Sequence, residues 1–347
     1  MMQTIVRNRS RIICLTVVLL MVGVGWLCHS ADSEVPVLWQ PQRPLEKEDW
    51  PAALNSLRGD PLTNLVPRLV AVRALYETGR LPEEQFAWFH SPGPELLSTA
   101  DLKQYVGAAC IADVLLQLGH LNLAERLAFD SLEFEGENAL ALRTLVRLHV
   151  LKELPVAARI FLNRLQALPE HSAWAGRFRA GLDANSLTTA DPAISRIQTN
   201  LITRDEIVKG LTTERILRLA LESNPGNRMA VQFLMAHYLL ERRLPNAVRV
   251  LTLSSQTRQG PLPRHYAEAV LLHRKFYPNF SLSTLLPRVP PEAGSRFEHF
   301  KAMMDRTSGS LDGVQPEVWR DFGKTYWYYY FFGASHSNVQ PTDAKNP

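Results

Sequence analysis

The feature that most limits the fold of this chain is a short bend that recurs between stretches of helical periodicity. From about Leu54 to Phe332, apolar residues recur at intervals of three and four, and the alternation typical of strands is absent. We therefore expect an all-α fold in which each bend is the turn of a helical hairpin. The four bends begin with Gly79-Arg80-Leu81-Pro82, Gly119-His120-Leu121-Asn122, Lys152-Glu153-Leu154-Pro155 and Arg242-Arg243-Leu244-Pro245.

The side chains around these bends resemble those of the tetratricopeptide repeat, a helical hairpin of about 34 residues. That pattern has a small residue where two helices approach, a larger one that fills the space to the next hairpin, and a proline after the second helix. The resemblance implies a tetratricopeptide-like (TPR-like) α-solenoid. The matching residues are Ala112, Leu115 and Ala124, then Ala157, Phe161 and Pro169, then Ala220, Pro225, Tyr238 and Ala247.

Two segments interrupt the pattern within the predicted repeat domain, residues 52–332. Residues 181–212 are expected to form a loop with at most one degenerate helix, and three prolines interrupt the helical pattern over residues 281–295. The first interruption either divides the body near residue 190 or is an insertion in a continuous solenoid. The small and polar residues 333–347 predict a disordered tail.

Residues 1–31 have the pattern of a signal peptide or signal anchor. Three arginines precede an uncharged, mostly apolar run, residues 12–31, which is long enough to cross a bilayer. Either the run remains as a membrane anchor, or it is cleaved. In both cases the arginines keep its start in the cytoplasm and send the body to the periplasmic side. The proline-rich residues 32–51 predict an extended linker.

The charge of the body excludes a nucleic-acid partner. The net charge of +4 includes the three arginines of the leader, which has no acidic residue, so the remainder carries 4 − 3 = +1. A near-neutral body with mixed charges has no basic face for phosphates. Its single cysteine, Cys110, has apolar neighbours and is predicted to be a buried core residue.

A search for catalytic and cofactor signatures gives weak matches. Gly323-Lys324-Thr325 resembles the end of a phosphate-binding loop, but Val318 stands where that loop requires glycine. His265, Glu268 and His273 come nearest to a metal-binding set, but only the first two share a helix face, so we expect polar surface residues. We therefore predict no enzyme activity, no nucleotide, no metal and no other cofactor.

Several segments also follow one another in a recognisable order along residues 45–332. They are Pro155-Val156-Ala157-Ala158-Arg159, Asp191-Pro192, Asn224-Pro225-Gly226-Asn227-Arg228-Met229-Ala230, Tyr238-Leu239-Leu240 and Gly323-Lys324-Thr325-Tyr326-Trp327-Tyr328-Tyr329-Tyr330. This order resembles a family of uncharacterised bacterial envelope proteins with N-terminal membrane segments, degenerate helical repeats and a Thr-Tyr-Trp-Tyr-Tyr tail. The resemblance implies architecture and an envelope location, and it assigns no catalytic residue. Several members have multiple spans, whereas this chain has one candidate span.

The aromatic run near the C-terminus is the first candidate for a partner contact. Tyr326, Trp327, Tyr328 and Tyr330 combine apolar rings with polar atoms, which suits a protein or glycan surface. Two alternatives stay open: the run covers the last hairpin of the solenoid, or it touches a membrane interface. A second candidate surface is an apolar groove along the first helices of the hairpins, lined by Val106, Ala109, Asp113, Met229, Gln232 and Ala236.

These observations predict a non-catalytic scaffold or adaptor of the bacterial cell envelope that binds a protein partner. One alternative is a purely structural spacer. The other is an envelope enzyme or accessory subunit with a polar site near residues 181–212. The charged residues in that segment are Asp183, Asp191, Arg196, Arg204, Asp205 and Glu206.

Overall fold

The computed structural model describes residues 45–97, 107–202, 211–254, 260–305 and 315–333. The predicted leader, most of the predicted linker and the tail after Gly333 lie outside these ranges. Regular structure in the described residues is entirely helical, as the all-α prediction requires, and includes one turn of 3-10 helix, Leu286–Arg288. No helix within these ranges combines the length and hydropathy needed to cross a bilayer. The α-helices are α1 (Trp50–Ser56), α2 (Leu65–Glu77), α3 (Leu81–Trp88), α4 (Ala108–Leu118), α5 (Leu121–Glu135), α6 (Ala139–Leu151), α7 (Pro155–Ala167), α8 (Ser172–Asp183), α9 (Leu187–Ala190), α10 (Pro192–Asn200), α11 (Thr213–Ser223), α12 (Arg228–Leu240), α13 (Leu244–Ser254), α14 (Arg264–Phe276), α15 (Pro291–Asp305), α16 (Gln315–Phe322) and α17 (Tyr326–Phe332).

The four predicted bends share one backbone conformation. In each, the residue two places before the next helix has a positive φ. The following N–H donates to the carbonyl five residues earlier, at 2.7 to 2.9 Å. This is the Schellman arrangement, which ends one helix and satisfies its last carbonyls. The residues with positive φ are Gly79, Gly119, Glu153 and Arg242.

The third bend is shifted by one residue from its predicted register. Glu153 has the left-handed conformation, and the alanine five residues beyond it is Ala158 rather than the predicted Ala157. Ala158 is fully buried, as are Ala124 and Ala247 at the same distance from their own bends, whereas Ala157 is half-buried. A small buried side chain at this position lets the second helix of a hairpin approach the first.

The same bend recurs between α8 and α9, inside the segment expected to be a loop. Asn185 has the positive φ there. The carboxylate of Asp191 then caps α10 by accepting a hydrogen bond from Ala193 N at 3.0 Å. Residues 181–202 therefore contain two helices, α9 and α10, where at most one was expected, and residues 203–210 lie outside the described ranges.

Prolines begin helices at the edges of two segments predicted to be irregular. Pro51 lies in the first turn of α1, where its missing N–H costs nothing, and Asp49 caps that helix by accepting from Ala52 N at 3.0 Å. The end of the predicted linker is therefore helical rather than extended. Pro291 likewise begins α15, so the helix resumes inside the predicted 281–295 interruption.

The α2–α3 hairpin packs against helices that are distant in the sequence. Helix α2 contacts both α4 and α12, and α3 contacts α12 and α14. The rings of Tyr76 and Phe233 meet edge to face with centroids 5.9 Å apart, and Gln85 Nε2 donates to Ala236 O at 3.2 Å. A solenoid stacked in chain order places contacts only between successive hairpins, so the position of α2–α3 departs from that order.

Two glycines in equivalent bends allow the free-energy cost of backbone strain to be distinguished from the cost of a steric clash. Among the described residues, no atom lies within 4 Å of a Cβ placed on Gly79, whereas a Cβ on Gly119 would lie 1.9 Å from Asn200 O. We expect Gly79→Ala to lower the free energy of unfolding by about 1 kcal/mol through the left-handed φ alone. Gly119→Ala should lower it by about 3 kcal/mol because the clash with a backbone carbonyl adds to that strain. Urea unfolding measures both values, and equal losses would show that Asn200 does not press on the α4–α5 bend.

Candidate functional site

The aromatic residues predicted to contact a partner lie in α17 and are buried. Tyr326, Trp327 and Tyr328 are 0%, 1% and 7% exposed, and Tyr330 is half-buried. Phe86 of α3 packs on the Tyr326 ring with centroids 5.3 Å apart. The prediction that Tyr326, Trp327 and Tyr328 present a surface to a partner is therefore corrected, because these side chains belong to the hydrophobic core of their own chain, whereas a partner contact of half-buried Tyr330 stays a prediction.

A buried carboxylate, Glu268 of α14, holds the start of α17. Its Oε2 accepts a hydrogen bond from Tyr326 N at 2.8 Å, and its backbone carbonyl accepts one from Trp327 Nε1 at 2.9 Å. Thr325 Oγ1 caps the same helix by accepting from Tyr328 N at 3.1 Å. The first N–H groups of a helix need such acceptors. Helix α17 is therefore fixed to α14 by hydrogen bonds as well as by its rings.

Glu268 also pairs with two basic side chains of its own helix. His265 Nδ1 lies 2.8 Å from Oε2, and Arg264 Nε donates to Oε1 at 3.0 Å. Burial raises the pKa of Glu268, but the charges of His265 and Arg264 more than offset it, so the pKa lies below its ordinary value. His265 and Glu268 are 0% and 1% exposed, so the prediction that they are polar surface residues is wrong.

His273, the third residue of that set, serves a different cluster. It is buried and stacks on Tyr277 with ring centroids 4.7 Å apart. Burial lowers the pKa of His273 to about 4, so it is neutral at physiological pH. Within the described parts of the chain, no group of three or more His, Cys, Asp or Glu side chains is placed to hold a metal ion.

An open groove lies beside the α2–α3 bend, and we call it the α12 groove. Its volume is about 530 Å³. The residues that define it are Val231 and Gln232 of α12, Leu251 of α13, and Leu262 and Tyr266 at the start of α14. All five are at most 7% exposed, and four of them are apolar or aromatic. The walls of the α12 groove therefore suit apolar side chains.

Gln232 is the polar residue among these five. Its side chain is 5% exposed, and its Oε1 has no hydrogen-bond partner in the described part of the chain. Leaving a buried acceptor unpaired costs about 1–3 kcal/mol, which a suitable donor would recover. The lining also includes three charged residues, Glu83, Arg228 and Arg288, together with Gly79 and three prolines.

A second cavity, which we call the charged cavity, lies among α2, α4, α6 and the segment that leads into α1. Its volume is about 210 Å³. Leu45, Trp50 and Leu140 form its apolar wall. The charged residues that line it are Glu48, Arg73, Glu77, Asp113, Arg143, Arg147 and Arg196.

Arg147 of α6 is the most extensively paired residue of the charged cavity. It is 3% exposed, its Nη2 donates to Glu48 Oε1 at 2.7 Å and its Nε donates to Asp191 Oδ2 at 2.7 Å. Arg143 Nη2 donates to the same Glu48 oxygen at 2.8 Å. Burial raises the pKa of Glu48, but the charges of Arg147 and Arg143 outweigh it and hold the pKa below its ordinary value.

Of the six positions predicted to line one groove, the five that the structure describes are divided between the two cavities and the core. Gln232 lines the α12 groove and Asp113 lines the charged cavity. The α2–α3 hairpin separates them, since Arg73 of α2 reaches Met229 Sδ at 3.0 Å. Ala109, Met229 and Ala236 are buried, and Val106 lies outside the described residues.

The charged segment 181–212 contributes only part of the charged cavity. Asp191 reaches Arg147 there and Arg196 lines the cavity, whereas Asp183 pairs with Arg159 at the surface. The last three charged residues of that prediction, Arg204, Asp205 and Glu206, lie outside the described ranges.

The arginines of α6 were missed by sequence reasoning, although a signal was present. Arg143 and Arg147 are one turn apart in the otherwise apolar run Leu-Ala-Leu-Arg-Thr-Leu-Val-Arg-Leu. Arginine is almost never fully buried unless it is paired, so two such residues on one face of an apolar helix indicate internal ion pairs.

The comparisons with known proteins give one match. Residues 3–333 match the model of a family described as "Family of unknown function (DUF6057)". Neither a curated protein nor a solved structure matches the chain. The match includes all the helices and both cavities described above, and it assigns no activity to them.

Removing the charge of Glu268 is expected to weaken the attachment of α17. Glu268→Gln leaves buried His265 without its carboxylate partner, so we expect the free energy of unfolding to fall by about 3 kcal/mol. The control is Glu298→Gln on α15, where the side chain is 60% exposed. It should change the free energy by less than about 0.5 kcal/mol. Urea unfolding followed by tryptophan fluorescence compares the two, and similar losses would contradict a special role for Glu268.

The pKa of Glu268 also predicts a dependence of stability on pH. Its folded pKa lies below the ordinary value of 4.5, so the unfolded state binds more protons in that range and stability rises with pH. The contribution is fully present above pH 4.5 and is lost as the pH falls through the folded pKa. Below pH 4.5 we therefore expect the stability of the wild-type protein to fall more steeply than that of Glu268→Gln. Parallel curves would contradict this assignment.

Proposed function

The chain belongs to the family of unknown function DUF6057, and we propose that it is a non-catalytic helical scaffold that binds an extended segment of a partner protein. The α12 groove carries this proposal, because it combines apolar walls with the unpaired carboxamide of Gln232. An extended peptide brings apolar side chains for those walls and a backbone N–H for that oxygen.

We infer that the scaffold is built from degenerate TPR-like hairpins stacked as an α-solenoid. The support is the left-handed bend that the hairpins share, and the fully buried alanine five residues beyond it at Ala124, Ala158 and Ala247. In this proposal the α2–α3 hairpin occupies a place in the stack that differs from its place in the chain, between α4 and α12.

The charges around the α12 groove favour a peptide with an acidic residue. Glu83 Oε2 already accepts a hydrogen bond from Arg264 N at 3.1 Å, and Arg288 Nε donates to Gly260 O at 2.8 Å. Arg228 is exposed and has no ion pair with the residues that the structure describes. An acidic side chain next to the apolar anchor of the peptide would pair with it.

The carboxylate of Glu48 in the second cavity is used in internal ion pairs. It receives hydrogen bonds from both Arg143 and Arg147, at 2.8 and 2.7 Å. Because the pKa of Glu48 is held below its ordinary value, this carboxylate is ionised at neutral pH and carries no proton to donate as a general acid.

We also propose that the scaffold acts outside the cytosol, in a bacterial cell envelope. The support is the sequence of residues 1–31, in which arginines precede an apolar run, as in signal peptides and signal anchors. If the run is retained, residues 12–31 tether the scaffold to the membrane; if it is cleaved, the body is free in the periplasm.

Charge reversal at Arg228 tests whether the α12 groove binds a peptide with an acidic residue. Peptide display against the full chain is expected to select extended peptides in which an apolar residue lies next to an acidic one. Arg228→Glu should weaken binding of such a peptide about tenfold or more, because attraction becomes repulsion. The matched control is Arg249→Glu, an exposed position on α13 outside the groove. Fluorescence anisotropy measures the dissociation constants, and equal effects of the two variants, or no selected peptide, would contradict the proposal.

A reporter fusion tests whether the body of the protein lies outside the cytosol. Alkaline phosphatase, which is active only outside the cytosol, is joined after residue 45 of the chain. We expect full activity, and loss of activity when residues 12–31 are deleted, because the apolar run directs export. The mass of the fusion distinguishes a retained anchor from a cleaved signal. An inactive fusion that is stable in the cytosol would contradict the proposed location.

A further inference from the structure

Two carboxylates that line the charged cavity, Glu77 and Asp113, accept no hydrogen bond from the described residues. Glu77 Oε1 has an ion contact with Arg73 Nη2 at 2.8 Å, whereas Asp113 has no ion contact that short. Asp113 of α4 lines this cavity and is 5% exposed. Its ion contacts are with Arg147 Nη1 at 3.9 Å and Arg73 Nη2 at 4.0 Å, and both distances are too long for hydrogen bonds. Burying a carboxylate costs free energy unless hydrogen-bond donors reach it. A ligand with a donor that fits beside Asp113 would therefore be stabilised there.

Two guanidinium groups of the same cavity have unused donors. Arg73 and Arg143 are 2% and 6% exposed, and the Nε of each has no partner among the described residues. Arg143 Nη2 donates to Glu48, whereas Arg73 pairs through Nη2 with Glu77 Oε1 at 2.8 Å and donates from Nη1 to the weak acceptor Met229 Sδ at 3.0 Å. A guanidinium carries five donors in a geometry that suits a carboxylate. Both guanidinium groups line the charged cavity, so the cavity presents positive charge as well as the carboxylate of Asp113.

The charges around the cavity cancel. Its lining contributes four arginines and three carboxylates, and Asp191 on Arg147 is the fourth carboxylate, so the sum is 4 − 4 = 0. A ligand with a net charge would leave an unbalanced charge in a largely buried site, at a cost in free energy. A zwitterion adds one positive and one negative group and keeps the balance.

The size and the walls of the cavity limit the ligand further. A volume of about 210 Å³ holds a small molecule and excludes a folded segment. Leu45, Trp50 and Leu140 form an apolar wall beside the charged groups. Glu48 and Arg196 are 42% and 47% exposed, so the cavity reaches solvent beside them.

The geometry points to a binding site for a small zwitterion, namely a free α-amino acid with an aliphatic side chain. Its ammonium group donates to Asp113, its carboxylate accepts from Arg73 and Arg143, and its side chain lies against Trp50 and Leu140. The charged cavity and the α12 groove share no lining residue, so this inference does not rest on the proposed function.

Calorimetric titration of the full-length protein with L-leucine and two of its analogues tests the inference. Leucinamide lacks the carboxylate, and 4-methylpentanoate lacks the ammonium group. We expect L-leucine to bind and each analogue to bind about tenfold or more weakly, because each loses one charge-assisted set of hydrogen bonds. If 4-methylpentanoate binds as tightly as leucine, the cavity is an anion site, and if none of the three binds, it holds only water. Either result overturns the proposal.

Two variants locate the binding in the cavity. Asp113→Asn removes the partner of the ammonium group, and Leu140→Phe reduces the free volume while it keeps every charge. Both should lower leucine affinity about tenfold or more, and Asp113→Asn should reduce the preference for leucine over 4-methylpentanoate. The control is Arg159→Gln, which breaks a surface ion pair outside the cavity. Circular dichroism shows which variants fold, and full leucine affinity in a folded Leu140→Phe protein would overturn the proposed location.

Discussion

The packing of the α2–α3 hairpin against α4, α12 and α14 is the contact on which the rest of the structure depends. Helix α2 brings Arg73 and Glu77 to the charged cavity, and the bend that follows brings Gly79 to the α12 groove. Helix α3 brings Phe86 to the rings of His265 and Tyr329, each with centroids 4.8 Å away. Both cavities and the packing surface of α17 therefore include residues of this one hairpin, and none would keep its shape without it.

Burying arginine imposes a second constraint. A buried charge is tolerated only when it is paired and hydrogen-bonded, and removing one partner is strongly destabilising. Arg143 and Arg147 both donate to Glu48, which precedes α1 and is far from α6 in the sequence. These ion pairs therefore attach the segment that leads into α1 to the body, and Leu45 of the same segment belongs to the hydrophobic core.

The sequence predicted the local features of this fold much better than the distant ones. The bends and the buried alanines follow from periodicity and turn chemistry over a few residues, which is why the only error there was the single-residue shift at Ala157. His265 and Glu268 were misplaced because an amphipathic helix was assumed to expose its polar face, whereas α3 and α17 cover that face. The charged cavity could not be predicted, because it joins Glu48, Asp113 and Arg147 from segments that are distant in the chain.

The two cavities differ in the charge and polarity of their walls, although the sequence analysis predicted that Asp113 and Gln232 line one groove. Near Asp113 the neighbouring charges are dense and balanced, so a ligand there must satisfy both signs within a small volume. Around Gln232 the walls are apolar and the unpaired group is a neutral amide, so an uncharged backbone N–H is enough. The chemistry of the two spaces differs because Arg73 and Glu77 of α2 line the charged cavity, whereas the α12 groove is lined by the bend after α2 and the start of α3. The hairpin that packs out of chain order therefore also contributes residues to both cavities.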